Sequence, residues 1–156
     1  MLFERGSGVP IKSIPYRGGG PLLQDLLGGQ VQMAFNVTSE VLVHVKAGRL
    51  RSLAVASPKR WWALPEVPTF IELGYKDIEA VEFLGWYAPA KTPMDYVRRL
   101  NAAVQEALQS AEMQEVFNRN GLVPLIEGPE PFAQRLKNEL TAWGPIVKAT
   151  GFTPDD

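Results

Sequence analysis

Alternating apolar and polar positions mark short extended segments in the N-terminal third of the chain. Ile11–Ile14 and Val31–Phe35 alternate, whereas Leu53–Ala56 is a continuous apolar run of the kind found in buried strands. Between them lie two apolar stretches, Leu22–Leu27 and Val41–Lys46, each followed by glycine, which predict short helices. Strands that alternate with helices at this spacing predict a parallel sheet with crossover helices, so the expected fold class is α/β.

The middle of the chain is rich in proline. Pro58, Pro65 and Pro68 surround Trp61–Trp62, which predicts an irregular, proline-stiffened excursion in which the tryptophans pack or face a partner. An apolar strand is then expected over Val81–Ala90.

The C-terminal half has helical periodicity. Thr92–Asp95 places a hydroxyl, a proline and an acid where a helix start favours them. Apolar stripes predict two helices and then a long last one, which Gly144–Pro145 should kink or interrupt. The stripes are Val97, Leu100, Val104 and Leu108; Met113, Val116 and Phe117; and Phe132, Leu136, Leu140, Trp143 and Val147.

Composition and charge remove several classes of function. Sixteen basic residues against seventeen acidic ones give a net charge of −1, so no electrostatic footprint favours nucleic acid. The chain has no cysteine, which removes disulfides, thiolate nucleophiles and cysteine-based metal sites. We predict no membrane span, since no apolar run approaches about 18 residues, and no signal peptide within this chain.

Catalytic motifs are absent from the sequence. The single histidine, His44, has no recognisable partner and is interpreted as a half-buried helix residue. Neither a nucleophile elbow nor a histidine or carboxylate cluster at metal-ligand spacing occurs. We therefore predict no catalytic residue, no metal site and no cofactor.

A glycine-rich turn follows the first predicted strand and opens a helix. It comprises Tyr16, Arg17, Gly18, Gly19 and Gly20. Free N–H groups converge at this position in α/β proteins, so one interpretation is a site for a carboxylate or phosphate. The other is a simple turn that joins strand to helix. The spacing matches neither a Walker A loop nor a dinucleotide-binding fingerprint.

A second candidate lies after the next predicted strand. Asn36 comes directly after Val31–Phe35, and Thr38 and Ser39 lead into the following helix. Open α/β sheets bind ligands at the carboxyl ends of their strands, so the Asn36 amide is a candidate for a ligand carboxylate or a bridging water. Alternatively, Asn36 or Thr38 caps the helix.

Several sequence blocks, considered together and in order, cover nearly the whole chain. They are Ile14–Gly20, Asp25–Val31, Val45–Val55, Ala63–Thr69, Gly85–Pro93, Arg99–Asn101, Trp143 and Gly151. These blocks resemble the Bug family, the substrate-binding proteins of tripartite tricarboxylate transporters.

The resemblance implies a two-lobed periplasmic binding protein fold of type II. Residues 1–82 would be the ligand-binding portion of the second lobe, incomplete at its N-terminus, and residues 83–156 the crossover strand and helices of the first lobe. Tyr16–Gly20 and Asn36 match positions that line the ligand cleft in the family. Arg17 replaces the usual lysine and keeps its charge, whereas Asn36 replaces a common aspartate.

By this resemblance the chain is expected to be part of an extracytoplasmic solute-binding protein. It would bind a small carboxylate-bearing solute and deliver it to membrane permease subunits, with the full-length protein exported to the periplasm. Faces meant for the other lobe would be exposed, which predicts self-association through the helices 93–109 and 131–148. The alternatives are a ligand-sensing domain of a regulator and an α/β enzyme that uses Arg17 as a substrate anchor.

Overall fold

Helices separated by extended segments make up the computed structural model, which describes residues 2–150 and the side chains of residues 2–149. Met1 and residues 151–156, including Gly151 and the end of the expected 83–156 portion, lie outside the described residues. The helices are α1 Leu2–Ser7, α2 Gly19–Leu27, α3 Thr38–Lys46, α4 Met94–Gln109, α5 Ala111–Asn120 and α6 Pro129–Thr150.

The predicted glycine stops end α2 and α3. After α2, Gly29 adopts φ 71°, and the N–H of Gln30 donates to the Asp25 carbonyl at 2.8 Å. After α3, Gly48 adopts φ 68°, and the N–H of Arg49 donates to the His44 carbonyl at 2.9 Å. Both are Schellman motifs, in which a left-handed glycine lets the chain satisfy the last carbonyls of the helix.

The predicted parallel sheet is wrong for the described residues. Among residues 2–150 the extended segments form no ladder, and only an isolated parallel bridge joins Val55 to Thr69. The expected strands Ile11–Ile14, Val31–Phe35 and Val81–Ala90 therefore run without strand pairing.

The backbone groups of these segments are satisfied elsewhere. The N–H of Val55 donates to the Pro68 carbonyl at 3.0 Å, and its carbonyl accepts from Phe70 at 3.1 Å. The N–H of Ile11 donates to the Glu4 side chain at 3.1 Å. Alternating hydrophobicity records a local preference, but a ladder also needs a neighbouring strand aligned with free donors and acceptors.

The described chain divides into two compact units. Within residues 2–150, unit 1 comprises residues 2–84 and 119–122, and unit 2 comprises residues 85–118 and 123–150. The core of unit 1 is a cluster of buried side chains from α3 and the segments that follow it: Leu42, Val55, Leu64 and Val67.

Trp61 packs against this core and forms a hydrogen bond with a residue that is distant in the sequence. Its indole Nε1 donates to the Gly121 carbonyl at 2.8 Å. Gly121 has φ 69°, and a side chain there would overlap the Trp61 ring. The packing interpretation is therefore confirmed for Trp61, whereas Trp62 is exposed.

Side chains brace the proline-rich excursion. Thr69 and Glu72 form a reciprocal capping box, since the Glu72 N–H donates to Thr69 Oγ1 at 3.0 Å and the Thr69 N–H donates to Glu72 Oε2 at 2.8 Å. Arg60 Nε donates to both Glu72 oxygens at 2.9 Å, and Arg60 also donates to the Pro65 carbonyl at 3.0 Å. Thr69 is only 2% exposed whereas the Glu72 side chain is 44% exposed, so this box joins the interior to the surface.

Unit 2 is built on helices α4 and α6, which pack together. Asn101 of α4 donates to the Glu127 carbonyl at 3.0 Å, and the Glu127 carboxylate pairs with Arg135 of α6. The α4 start differs by one residue from the prediction: Pro93 is the N-cap, and no side chain caps the helix. The last helix continues through Pro145 instead of stopping there.

Candidate functional site

The glycine turn opens α2 as predicted. Gly18 is the N-cap with φ 97° and ψ 173°, a conformation that residues with a Cβ adopt only under strain. No side chain caps the helix, so the first N–H groups of α2 lack a side-chain acceptor. The turn therefore presents uncapped backbone donors at the positive end of a helix.

Tyr16 holds the turn against its own helix. Its hydroxyl donates to Asp25 Oδ2 at 2.7 Å. This hydrogen bond, followed by partial burial, raises the pKa of the Tyr16 phenol, because losing the proton would leave two negative charges in contact. Arg17, next to it, is exposed and forms no ion pair among the described residues.

Asn36 carries an unsatisfied donor. Its Oδ1 accepts from the Val37 N–H at 2.7 Å, which fixes the amide orientation. Its Nδ2 is buried and has no hydrogen-bond partner within residues 2–150. A buried donor without an acceptor costs about 1–3 kcal/mol, which is the cost a bound acceptor would recover.

The capping interpretation does not hold for the start of α3. Val37 is the N-cap, and no side chain, including those of Asn36 and Thr38, makes a cap hydrogen bond. Thr38 and Ser39 are the first two residues of the helix and are partly buried. Asn36 therefore does not cap α3.

An aromatic cluster supports the segment that leads to Asn36. Phe35 lies 5.6 Å from Phe3 of α1 and 6.3 Å from Phe70, measured between ring centroids. Phe70 in turn contacts Tyr75 at 6.3 Å. The sequence analysis missed α1 and this cluster, although the three phenylalanines are apolar signals that it could have linked.

Glu40 brings the two candidate segments together. Its carboxyl carbon lies 2.6 Å from the place where a Cβ at Gly19 would stand, so a side chain there would displace it. The start of α2 and the first turn of α3 are therefore neighbours. The sequence analysis did not single out Glu40, because nothing in the local pattern separates it from an ordinary acidic residue of a first helical turn.

His44 lies near the end of α3 and is half-buried, as predicted. Residues 2–150 contain no group of three histidine or acidic side chains arranged to hold a metal ion. None of the described helices combines the length and apolar character needed to cross a membrane.

Two similar solved structures contain a small carboxylate. The structure of R. palustris Rpa4515 with adipate superposes with a TM-score of 0.88 at 30% identity, covering 99% of this chain and 52% of that one. MatC from Rhodopseudomonas palustris with bound malate superposes with a TM-score of 0.84 at 31% identity, covering 94% and 51%. A fold like that of type II periplasmic binding proteins therefore fits this chain.

Residues 2–152 match the family described as tripartite tricarboxylate transporter family receptor, and the chain belongs to this family. Protein BugT of Bordetella pertussis is 37% identical over 150 residues, which are 96% of this chain and 46% of BugT. The chain thus spans about half the length of the first curated relatives it matches. Members of the family are periplasmic solute-binding proteins.

Proposed function

We propose that this chain is part of an extracytoplasmic solute-binding protein and that it binds a small carboxylate-bearing solute. The solute carboxylate would lie at the Gly18–Gly20 turn, with the Arg17 guanidinium and the Asn36 amide completing its hydrogen bonds. Tyr16 would position the turn, and Thr38 and Ser39 would add hydroxyl groups at the start of α3.

The buried Asn36 Nδ2 without a partner is the observation that carries this proposal. Native proteins pair nearly all buried donors, so an unpaired one next to a helix start calls for an acceptor from outside the chain. The uncapped start of α2 and the exposed Arg17 agree with an anionic acceptor. Adipate and malate, seen with two structural neighbours, are solutes of this chemistry.

In the whole protein, the solute would pass to the permease subunits of a tripartite transporter. The family membership supports this role. Binding and release would be the whole mechanism, so the proposal includes no catalytic step. A regulator's sensing domain or an enzyme on a small acid has no specific support among the described residues.

Differential scanning fluorimetry of the 156-residue chain against adipate, malate and other small carboxylates tests the proposal. Ligand at a hundredfold over its dissociation constant adds about 2.7 kcal/mol of stability. For a chain of this size that raises the melting temperature by roughly 5 to 10 °C. We expect this shift with at least one carboxylate.

Two site variants and one control locate the binding. Arg17→Ala and Asn36→Ala should reduce the shift, each measured against its own ligand-free melt so that stability and binding are separated. Arg51→Ala removes an equally exposed arginine outside the site and should keep the full shift. A shift that survives both site variants, or no shift with any carboxylate, would overturn the proposal.

A further inference from the structure

Glu40 places a negative charge beside the donors of the glycine turn. Its carboxylate contacts Gly19 so closely that a methyl group at that position would overlap it. Among the described residues no lysine, arginine or histidine pairs with Glu40, and no hydrogen bond to its carboxylate is formed. The charge is therefore not neutralised within the described part of the chain.

The surroundings of Gly19 consequently favour two opposite kinds of group. Uncapped N–H groups at the start of α2 attract an anion. The Glu40 carboxylate repels a second anion and attracts a cation or a hydrogen-bond donor. A solute that carries a carboxylate at one point and a donor at another satisfies both, whereas a dicarboxylate satisfies only the first.

We propose that Glu40 is a specificity-determining residue that selects monocarboxylates bearing an amide or ammonium group over dicarboxylates of the same length. This inference rests on the proposed function, because it assigns the solute class of the same site. Asn36 agrees with it, since its oxygen is occupied by Val37 and its buried Nδ2 is left to bind an acceptor. The site then contains one group for the solute's acceptor and one for its donor.

Glu40 is long and exposed, so a second outcome of the test is that its side chain moves out of the site. A flexible side chain is able to swing away when a solute arrives, and in that case its charge would weaken all carboxylates by the same factor. Selectivity between solutes of equal length separates the two outcomes, whereas affinity for a single solute does not.

Isothermal titration calorimetry of the 156-residue chain with three matched solutes is the test. The solutes are adipate, its monoamide and its ω-amino analogue, in which an aminomethyl group replaces one carboxylate. We expect the unmodified chain to bind the monoamide or the amino analogue more tightly than adipate. In Glu40→Gln, adipate should gain about fivefold or more in affinity, because two like charges about 4 Å apart repel to that extent even in water.

Glu106→Gln is the matched control. It removes the same charge from an exposed position on α4 and should leave the order of the three solutes unchanged. Gly19→Ala is a second variant, since its methyl group displaces the Glu40 carboxylate, and it should shift the preference in the same direction as Glu40→Gln. Gly128→Ala, which adds a methyl group outside the site at ordinary contact distance from Pro131, should not.

The possible results separate this inference from the function on which it rests. If adipate binds, weakens in Arg17→Ala, and keeps its rank in Glu40→Gln, the site stands and the role of Glu40 is overturned. Equal gains for all three solutes in Glu40→Gln would also overturn it. If no solute binds the unmodified chain, the proposed function fails and the inference fails with it.

Discussion

Units 1 and 2 differ in how far they bury their apolar side chains. In unit 1, short and irregular segments bury a core that includes Leu42, Val55 and Val67, each about 5% exposed or less. In unit 2, long helices carry the clearest apolar stripes of the chain, yet none of its described residues is buried. An amphipathic stripe thus predicts that a helix forms, whereas burial also needs a second apolar face to cover it.

The largest expected effect is self-association through the exposed apolar faces of unit 2, measured as the mass of the protein in solution. Leu140 of α6 is 75% exposed, and Val147 lies on the same stripe and is also exposed. If the α4 and α6 faces associate, light scattering should report at least a doubling of the 17.2 kDa chain mass at high concentration. Leu140→Glu should return the mass toward that of one chain.

Ala142→Glu adds the same charge to an exposed position of α6 on the side opposite Leu140 and should keep the association. A single-chain mass for the unmodified protein at all concentrations would contradict this prediction and leave unit 2 with an uncovered surface.

Leucine truncation should distinguish the cores of the two units. Leu42→Ala removes a side chain that is 4% exposed and should lower the free energy of unfolding by about 2–5 kcal/mol through lost burial and a cavity. Leu140→Ala makes the same chemical change on an exposed helix position and, at concentrations where the protein is a single chain, should stay within about 0.5 kcal/mol. Urea unfolding followed by circular dichroism measures both, and equal losses would show that the contrast is wrong.

Backbone conformation at the glycine turn of unit 1 gives a smaller effect. Gly18→Ala forces a Cβ into a region that is nearly restricted to glycine and should cost about 1–3 kcal/mol. Gly20→Ala, at a helical position of α2, should cost less than Gly18→Ala, because the helix propensity gained with alanine opposes the clash of its Cβ with Pro21. Thermal melts without ligand compare the two, and a loss in Gly20→Ala as large as that in Gly18→Ala would imply a backbone constraint beyond the one described.

The smallest expected effect is the loss of stability of unit 1 as the pH falls. The Arg60 guanidinium, and then the Thr69 backbone, lower the pKa of Glu72 below its ordinary value of 4.5. Its contribution is therefore complete above the unfolded-state pKa and is lost as the pH falls through the folded-state pKa. Melting temperatures between neutral pH and about pH 3 should fall less steeply in Glu72→Gln than in the unmodified chain.

Glu66→Gln is the control for this acid limb. Glu66 is exposed and pairs with no basic group in the described part of unit 1, so its removal should leave the slope unchanged. Identical slopes for Glu72→Gln and the unmodified chain would mean that the Arg60 pair has no role in stability.

Local signals predicted much of the helical structure. Glycine after Leu27 and after Lys46, and the stripe from Val97 to Leu108, located helix ends and faces well because capping and periodicity depend on neighbouring residues. The sheet failed for the opposite reason. Whether Ile11–Ile14 or Val31–Phe35 pairs with another strand depends on distant backbone groups, and those of Val55 bond to Pro68 and Phe70 instead.

In the candidate site, too, the sequence predicted the local features and did not predict the long-range contact. The turn at Gly18–Gly20 was visible as a run of small residues, and Asn36 was visible by its place after an apolar segment. The approach of Glu40 to Gly19 was not visible in the sequence, because it is a contact between two helices and no local pattern gives the distance between them. Family resemblance supplied the class of protein, and the contacts supplied a reason for a particular solute.

The hydrogen bond from Trp61 to Gly121 also bears on how the chain acquires its structure during synthesis. The two residues are 60 positions apart, so the core of unit 1 is closed by a segment made after all of α4 and α5. Closing so long a loop is slow compared with forming a local helix. On the ribosome, unit 1 should therefore wait with an open edge until Gly121 emerges, and Trp61 fluorescence would report the moment of closure.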